Sequence, residues 1–141
     1  MARDATPDAR TEACLVMAAH RHGVDPWLLA AVARTESGFK PTAINVNGNG
    51  STDYGLMQIN DIWTGRLAAQ GIGRASLADP CVSAYVGAWI LSGYIRTHGD
   101  VWKGVSAYNT GSPSRGMGYA ARVKANRDAL ISEISAKRVS R

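Results

Sequence analysis

The sequence predicts a mainly α fold with a small β-hairpin lobe, which places it in the α+β class. Apolar residues recur at helical spacing along most of the chain. Two Asp-Pro pairs give helix starts, and one Gly/Asn-rich segment at residues 41–60 interrupts the helical pattern. The 141 residues are enough for one hydrophobic core, and neither a repeat nor a linker divides them. We therefore predict a single domain over residues 1–141.

Start and stop signals bound each predicted helix. Asp25-Pro26 and Asp79-Pro80 each supply an N-cap aspartate followed by proline at the first helical position. Gly23, Gly38 and Gly99 follow apolar-periodic stretches and are typical helix stops. The predicted helices span residues 11–22, 27–37, 80–98, 102–108 and 119–137.

The interruption at residues 41–60 has the composition of a turn between short strands. It begins with asparagines and glycines, which favour tight turns. Residues 51–59 then bring several side chains that are compatible with β-structure. We predict a small β-hairpin or an irregular β lobe inserted between helices.

Composition and charge exclude several classes of protein. With 45% hydrophobic and 19% charged residues, the chain is neither a disordered tail nor a membrane protein. Its longest apolar run, at residues 27–33, is too short to span a bilayer. The net charge of +5 suits an anionic environment, such as nucleic acid, anionic lipid or an acidic bacterial wall polymer. Since the chain carries no nucleic-acid-binding motif, we predict no nucleic acid partner.

Two cysteines, Cys14 and Cys81, leave the cellular compartment open. Their spacing matches neither a zinc site nor a thioredoxin-like motif. They are either two buried thiols or one long-range disulfide, and a disulfide would imply an oxidising compartment. Residues 1–13 contain five charged side chains after Met1 and no apolar stretch, so they do not resemble an export signal.

The sequence predicts neither a metal site nor a cofactor. His20 and His22 are two residues apart on a predicted helix and therefore face different directions. The Asn-rich segment loosely follows the spacing of a calcium loop, but Leu56 stands where a bidentate glutamate is required. The Gly-x-Gly pieces lack the lysine of a phosphate-binding loop.

Glu36 is the first candidate catalytic residue. It continues the apolar stripe of Leu28 and Val32 at the C-terminal end of the second predicted helix. Burial and the helix dipole would both raise its pKa there, and a general acid needs a carboxyl that stays protonated near neutral pH. The alternative is a glutamate that turns into solvent at a frayed helix end.

Asp53 is the second candidate, in the polar β segment. A carboxylate there can be solvated and hydrogen-bonded, so it should ionise readily. Two carboxyls in contrasting environments are the acid/base pattern of glycoside hydrolysis. The alternative for Asp53 is an Asx-turn residue that only holds the hairpin.

Four motifs occur in the order in which soluble lytic transglycosylases carry them. They are Glu36-Ser37-Gly38-Phe39, Tyr54-Gly55-Leu56-Met57-Gln58-Ile59-Asn60, Ala107-Tyr108-Asn109-Thr110-Gly111 and Tyr119-Ala120-Ala121-Arg122-Val123. The chain resembles that family over residues 14–123. Its cysteine context, Cys14 with Asp79-Pro80-Cys81, resembles small members from type III and type IV secretion systems and conjugation machinery. The segment 51–55, at its spacing from Glu36, also resembles the active-site segment of hen-type lysozymes.

The resemblance implies a lysozyme-like fold and a peptidoglycan-cleaving enzyme. Such an enzyme cuts the β-1,4 bond between N-acetylmuramic acid and N-acetylglucosamine and leaves 1,6-anhydromuramyl ends. It implies that a glycan strand of peptidoglycan is the partner, with a secretion-system component as a possible second one, and that the chain is a monomer. It also implies a Cys14–Cys81 disulfide and a periplasmic location, reached with a signal peptide that the printed chain does not carry.

The resemblance assigns roles to individual residues. Glu36 corresponds to the catalytic acid, with Asp53 as a second carboxylate. The residues that would orient the acid or bind sugar are Ser37, Met57, Gln58, Tyr108, Asn109 and Tyr119. Trp63 aligns with a sugar-stacking tryptophan of the lysozymes. A tryptophan that packs in the hydrophobic core is an equally good interpretation of this residue.

Two other functions stay open at this stage. Asp53 would also suit a hydrolytic muramidase that acts on the same bond through water. A non-catalytic wall-binding scaffold of a secretion apparatus would keep the shape, but it would have no need of Glu36 or of the segment 55–58.

Overall fold

The fold is mainly helical, and three short strands are inserted between the second and third helices. The computed structural model describes residues 5–140, and side chains over residues 5–137, so residues 1–4 and 141 of the predicted domain lie outside the described residues. The helices are α1 (Ala9–His22), α2 (Pro26–Ser37), α3 (Thr64–Ala69), α4 (Pro80–His98), α5 (Val101–Thr110) and α6 (Met117–Ser140). The strands are β1 (Ile44–Val46), β2 (Thr52–Tyr54) and β3 (Ile59–Asn60). The predicted α+β class is confirmed.

The predicted caps account for the helix boundaries. Asp25 accepts a hydrogen bond from the Trp27 amide, and Asp79 accepts from the Cys81 and Val82 amides. A glycine in the left-handed conformation ends each of the helices α1, α2, α4 and α5. Glycine adopts this conformation without steric cost, so the backbone can turn there. The first helix begins earlier than predicted because Asp8 is its N-cap and accepts from the Thr11 amide at 2.8 Å.

The helices pack around α4. It lies against α1 on one side and α5 on the other, while α2 packs against α1 and α6. The core residues from these helices are almost fully shielded from solvent, among them Leu29, Val32, Leu91, Val105 and Val123. Burial of these side chains stabilises the fold and fixes the direction in which the C-terminal end of α2 points.

The β lobe has one more strand than the predicted hairpin. The sheet is antiparallel in the order β1-β2-β3, with Asp53 in the central strand opposite Asn45 on one side and Asn60 on the other. Three 3₁₀ segments, at residues 61–63, 74–78 and 113–115, and the six-residue α3 were not predicted. Elements this short carry too few residues to show a periodic pattern.

Close backbone approaches attach the β lobe to α4. Gly87 of α4 lies under Met57, and a Cβ at that position would lie 2.6 Å from the Met57 Cγ. Gly55 has a φ of 81° and approaches the Leu77 carbonyl too closely for a Cβ. The Ser83 hydroxyl accepts from the Met57 amide at 3.0 Å. These contacts hold the lobe against the helices.

A disulfide joins Cys14 of α1 to Cys81 of α4, as the family resemblance implied, across a sequence separation of 67 residues. Cys14 is 2% exposed, so the link lies against the core. Within residues 5–140 no helix is both long and apolar enough to cross a membrane.

Replacing both cysteines by alanine should lower the free energy of unfolding by about 4 kcal/mol. Without the bond, the unfolded chain regains the conformational freedom of a long loop. Urea denaturation under non-reducing conditions measures the loss, and fully reduced wild-type protein should match the variant. A loss below about 1 kcal/mol would contradict this account of the disulfide.

Candidate active site

A groove between the β lobe and the helices brings the two predicted carboxyls together. The cavity has a volume of about 350 Å³, and both Glu36 and Asp53 line it. Glu36 enters from the last turn of α2, and Asp53 from the central strand β2. Sequence spacing alone could not show that these two side chains share a cavity.

Glu36 is a carboxyl that retains its proton. Desolvation raises its pKa from 4.5 to about 7, and the negative charge of Asp53 adds to the increase. The predicted escape into solvent does not occur, because the side chain is half-buried and contacts α6. A carboxyl with this pKa can give up a proton and take one back near neutral pH.

Tyr119 and Arg122, both on α6, partly oppose that effect. The Tyr119 hydroxyl donates to the Glu36 Oε2 at 2.7 Å, and the Arg122 guanidinium lies 5.7 Å from the centre of the Tyr119 ring. Both groups favour the ionised form of Glu36, but desolvation is the larger effect. Burial beside Glu36 raises the pKa of the Tyr119 hydroxyl well above 10, so it acts as a donor.

Asp53 is held by the side-chain amide of Asn60, which belongs to a hydrogen-bonded group of polar side chains in the β lobe. Asn60 donates from its Nδ2 to the Asp53 Oδ1 at 2.8 Å and to the Ser51 Oγ at 3.0 Å. Ser51 in turn donates to Asn49 at 2.7 Å. Among the described residues, no salt bridge ties up the Asp53 carboxylate. The carboxyl group is therefore oriented by a neutral donor and lines the groove.

Gln58 lines the groove and also organises the lobe from within. Its backbone has a φ of 52°, a conformation that non-glycine residues rarely adopt. The side-chain amide donates to the Gly55 and Ala43 carbonyls at 2.9 and 3.2 Å and accepts from Asn45 at 2.8 Å. These three bonds fix the strained backbone where the β lobe meets the groove.

Ser37 and Met57 act from behind the groove rather than along it. The Ser37 hydroxyl donates to the Leu56 carbonyl at 2.7 Å and so ties the end of α2 to the lobe. Met57 is fully buried, and its side chain does not line the cavity. Its carbonyl accepts from the Tyr108 hydroxyl at 2.8 Å, so Met57 contributes to the site through its backbone.

Tyr108 and Asn109, at the end of α5, form part of the opposite wall. Burial raises the pKa of Tyr108 well above 10, and the nearby carboxyls of Glu36 and Asp53 add to the increase. Asn109 is exposed and free to contact a ligand. Trp63 lines the groove and packs against Trp89 and Tyr94 at centroid distances of 5.6 and 6.4 Å, and its predicted stacking on sugar stays a prediction.

Several groove residues were not predicted. They are side chains of the β lobe and the segment after it, and side chains of α4 and α5 on the opposite wall. These residues are Asn47, Asn49, Ser51, Asn60, Ile62, Ile90, Tyr94 and Thr110. Asn47 and Asn49 were interpreted as turn formers and were considered and rejected as calcium ligands, and Asn60 was noted only as the last residue of a family motif. The pairing of Asp53 with Asn60 would have identified the carboxylate's partner, but it depends on the third strand.

An ion pair between buried Arg34 and partly exposed Glu133 links α2 to α6. Arg34 is 0% exposed, and its two terminal nitrogens each donate to a Glu133 carboxylate oxygen at 3.3 Å. Asn126 of α6 also donates to Thr35 at 2.8 Å. Arg34 and Thr35 directly precede Glu36, so these bonds hold the turn of α2 that carries the acid against the helix that carries Tyr119.

No metal-binding cluster accompanies the carboxyls. Among the residues that the structure describes, no three His, Cys, Asp or Glu side chains come together in a way that could hold a metal ion.

Comparisons with known proteins agree with this geometry. Residues 13–130 match the family described as the transglycosylase SLT domain. Protein IpgF of Shigella flexneri is 42% identical over 100 residues, which cover 70% of this chain and 66% of that protein. Invasion protein IagB of Salmonella typhimurium is 46% identical over 104 residues, covering 72% and 65%. The chain thus spans about two thirds of the length of these relatives.

A solved structure resembles the fold. An inactive mutant of lytic transglycosylase Slt from Pseudomonas aeruginosa superimposes with a TM-score of 0.58 at 27% identity, over 78% of this chain and 17% of that one. The lysozyme-like fold that the sequence motifs implied is therefore confirmed.

Replacing Glu36 by glutamine should stabilise the fold more at pH 8 than at pH 5. The carboxyl ionises near 4.5 when unfolded and near 7 when folded. Between these values folding requires the uptake of a proton, so wild-type stability falls as the pH rises, and the variant avoids that loss. In urea denaturation, the variant's gain in free energy of unfolding over wild type should be about 2 kcal/mol larger at pH 8 than at pH 5. An equal gain at both pH values would contradict the raised pKa of Glu36.

Proposed function

The chain belongs to the transglycosylase SLT domain family, and from this premise we propose that it is a lytic transglycosylase of peptidoglycan. Its target is the β-1,4 bond between N-acetylmuramic acid and N-acetylglucosamine. The observation that carries the proposal is a carboxyl of pKa about 7, Glu36, in one groove with an oriented carboxylate, Asp53.

Glu36 acts first as an acid and then as a base. In its protonated form it gives its proton to the glycosidic oxygen, and the bond from that oxygen to C1 of the muramic residue breaks. The resulting carboxylate then takes the proton of the muramic C6 hydroxyl, and O6 bonds to C1. The products are a 1,6-anhydromuramyl end and a free hydroxyl on the departing sugar, and Glu36 is protonated again.

Asp53 supports the positive charge that develops on the sugar. Its carboxylate faces the groove, and its hydrogen bond from Asn60 fixes its direction without neutralising it. The same carboxylate favours a second candidate, a hydrolytic muramidase, in which water rather than O6 attacks C1. The two reactions differ in the ends they leave.

The remaining site residues divide into two groups under this proposal. Asn109, Gln58 and Tyr108 line the groove and contact the glycan. Ser37, Met57 and Tyr119 position the acid and the groove wall through the hydrogen bonds described above. The family resemblance had already set Met57 apart as a shaper of the groove wall and Tyr108 and Tyr119 as hydroxyls near the acid.

We further propose that the chain works in the periplasm, beside a secretion apparatus. A disulfide suits an oxidising compartment, and a net charge of +5 suits an anionic wall. One relative is named an invasion protein, and the cysteine context resembles transglycosylases of secretion systems. A non-catalytic scaffold is the weaker candidate, since the acid, its donor and the second carboxylate are all in place.

Digestion of purified peptidoglycan should release muropeptides with 1,6-anhydro ends, and Glu36→Gln should reduce their release by at least about a thousandfold. Mass spectrometry distinguishes the products, since an anhydro end lacks the water that a reducing end contains. Predominantly reducing ends would support the muramidase, and no release would support the scaffold.

Asp53→Asn should lower the rate of anhydro product formation by about tenfold or more while the fold is retained. The amide keeps the shape of the side chain but removes the charge that supports the sugar cation. Asp128→Asn is a matched control, because Asp128 lies on α6 and pairs with Lys124 outside the groove. Full activity of Asp53→Asn would exclude the electrostatic role.

Tyr119→Phe should move the upper pH limit of activity to higher pH, by up to about one unit. The lost hydroxyl stabilises the ionised form of Glu36, so its removal raises the pKa of the acid. The measurement is kcat/KM against pH. Tyr108→Phe is the control, because that hydroxyl donates to Met57 and not to Glu36, and the limit should stay in place. A Tyr119→Phe profile with an unmoved limit would contradict this assignment.

A further inference from the structure

A second cavity lies next to the groove, beside α3 and α4. Its volume is about 260 Å³. Three side chains, Trp63, Ile90 and Tyr94, line both this side cavity and the groove. A ligand that lies along the groove is therefore adjacent to the side cavity.

The charges of the two spaces are opposite. The side chains that line the groove include the carboxyls of Glu36 and Asp53 and no lysine or arginine. The side cavity is lined by two guanidinium groups, Arg66 and Arg96, and by no carboxylate. A neutral sugar backbone suits the first space, whereas an anionic substituent suits the second.

The two guanidinium groups are positioned by neutral partners. Arg66 lies 5.1 Å from the centre of the Trp63 ring, and Arg96 donates to the Ser92 hydroxyl at 2.9 Å. Among the described residues, neither forms a salt bridge with an acidic side chain. Both residues are exposed, so each can donate to a carboxylate that enters the cavity.

We propose that this side cavity binds a carboxylate of the peptide stem on the muramic residue, while the glycan strand occupies the groove. The inference rests on the proposed function for its substrate. Muramic acid differs from N-acetylglucosamine by an ether-linked lactyl group, and in peptidoglycan this group carries a short peptide with free carboxylates. The lactyl group and peptide are the anionic branch of an otherwise neutral strand, which matches the division of charge between the two cavities.

The site would make the protein select glycan by its substituents. A strand of chitin fills only the groove, because it has no acidic branch. A muramic strand whose peptides have been removed loses the stem carboxylates and retains only the carboxylate of the lactyl group, which is held close to the sugar ring. The aromatic rings of Trp63 and Trp89 offer apolar contact to the stem, and the two arginines offer the charge.

Binding to soluble tetrasaccharides tests the proposal without relying on cleavage. The protein carries Glu36→Gln, and the ligands are a stem-bearing muramic tetrasaccharide and the same sugar with its stems removed, compared by calorimetry. The stem-bearing form should bind about fivefold to tenfold more tightly at low salt, and the preference should shrink as salt is added. Arg66→Gln with Arg96→Gln should abolish the preference and leave the affinity for the stripped sugar unchanged.

Arg74→Gln is the matched control, since Arg74 also lies over an aromatic ring, 5.5 Å from the centre of Tyr54, but outside both cavities. It should retain the preference. Equal affinity for the two ligands, binding of neither, or a preference that survives the double arginine substitution would overturn the side-cavity assignment. A chain that prefers the stem-bearing sugar but, with Glu36 intact, releases no product would contradict the proposed reaction alone.

Discussion

The site depends on one constraint, which is that Glu36 is held away from water at the end of a helix. Desolvation raises the pKa of its carboxyl to about 7. The other groups of the site either shift this pKa or hold the carboxyl in position. Tyr119 restrains the carboxyl from α6, and Asp53 faces the same groove from the β lobe. The ion pair between buried Arg34 and Glu133 links α2 to α6, the two helices that carry the acid and its donor.

The β lobe depends on side-chain amides more than on a core of its own. Gln58 bonds to two carbonyls and to Asn45, and Asn60 bonds to Asp53 and Ser51. Such bonds hold a sheet whose strands are only two or three residues long. The lobe therefore presents a carboxylate in a fixed direction, while the helices supply the apolar surface that desolvates the acid.

Local signals in the sequence were enough to predict the helical framework. Asp25, Asp79 and the glycines that end the helices act through neighbouring backbone groups, so their effect can be read without the tertiary structure. The stripe that ends in Glu36 likewise predicted a shielded acid. The third strand, the groove asparagines and the buried Met57 depend on contacts between distant segments, which spacing does not reveal. The motif resemblance named Tyr119, but only the packing of α6 against α2 shows that it donates to Glu36.

The account is tested most directly by the pKa of Glu36 in the unmodified protein. Carbon-13 labelling of glutamate side chains allows each carboxyl to be followed by nuclear magnetic resonance as the pH changes, and Glu36→Gln identifies the signal that belongs to this residue. We expect that signal to titrate near pH 7. A midpoint close to 4.5, the ordinary value for glutamate, would show that the groove does not desolvate the carboxyl and would contradict its role as the acid.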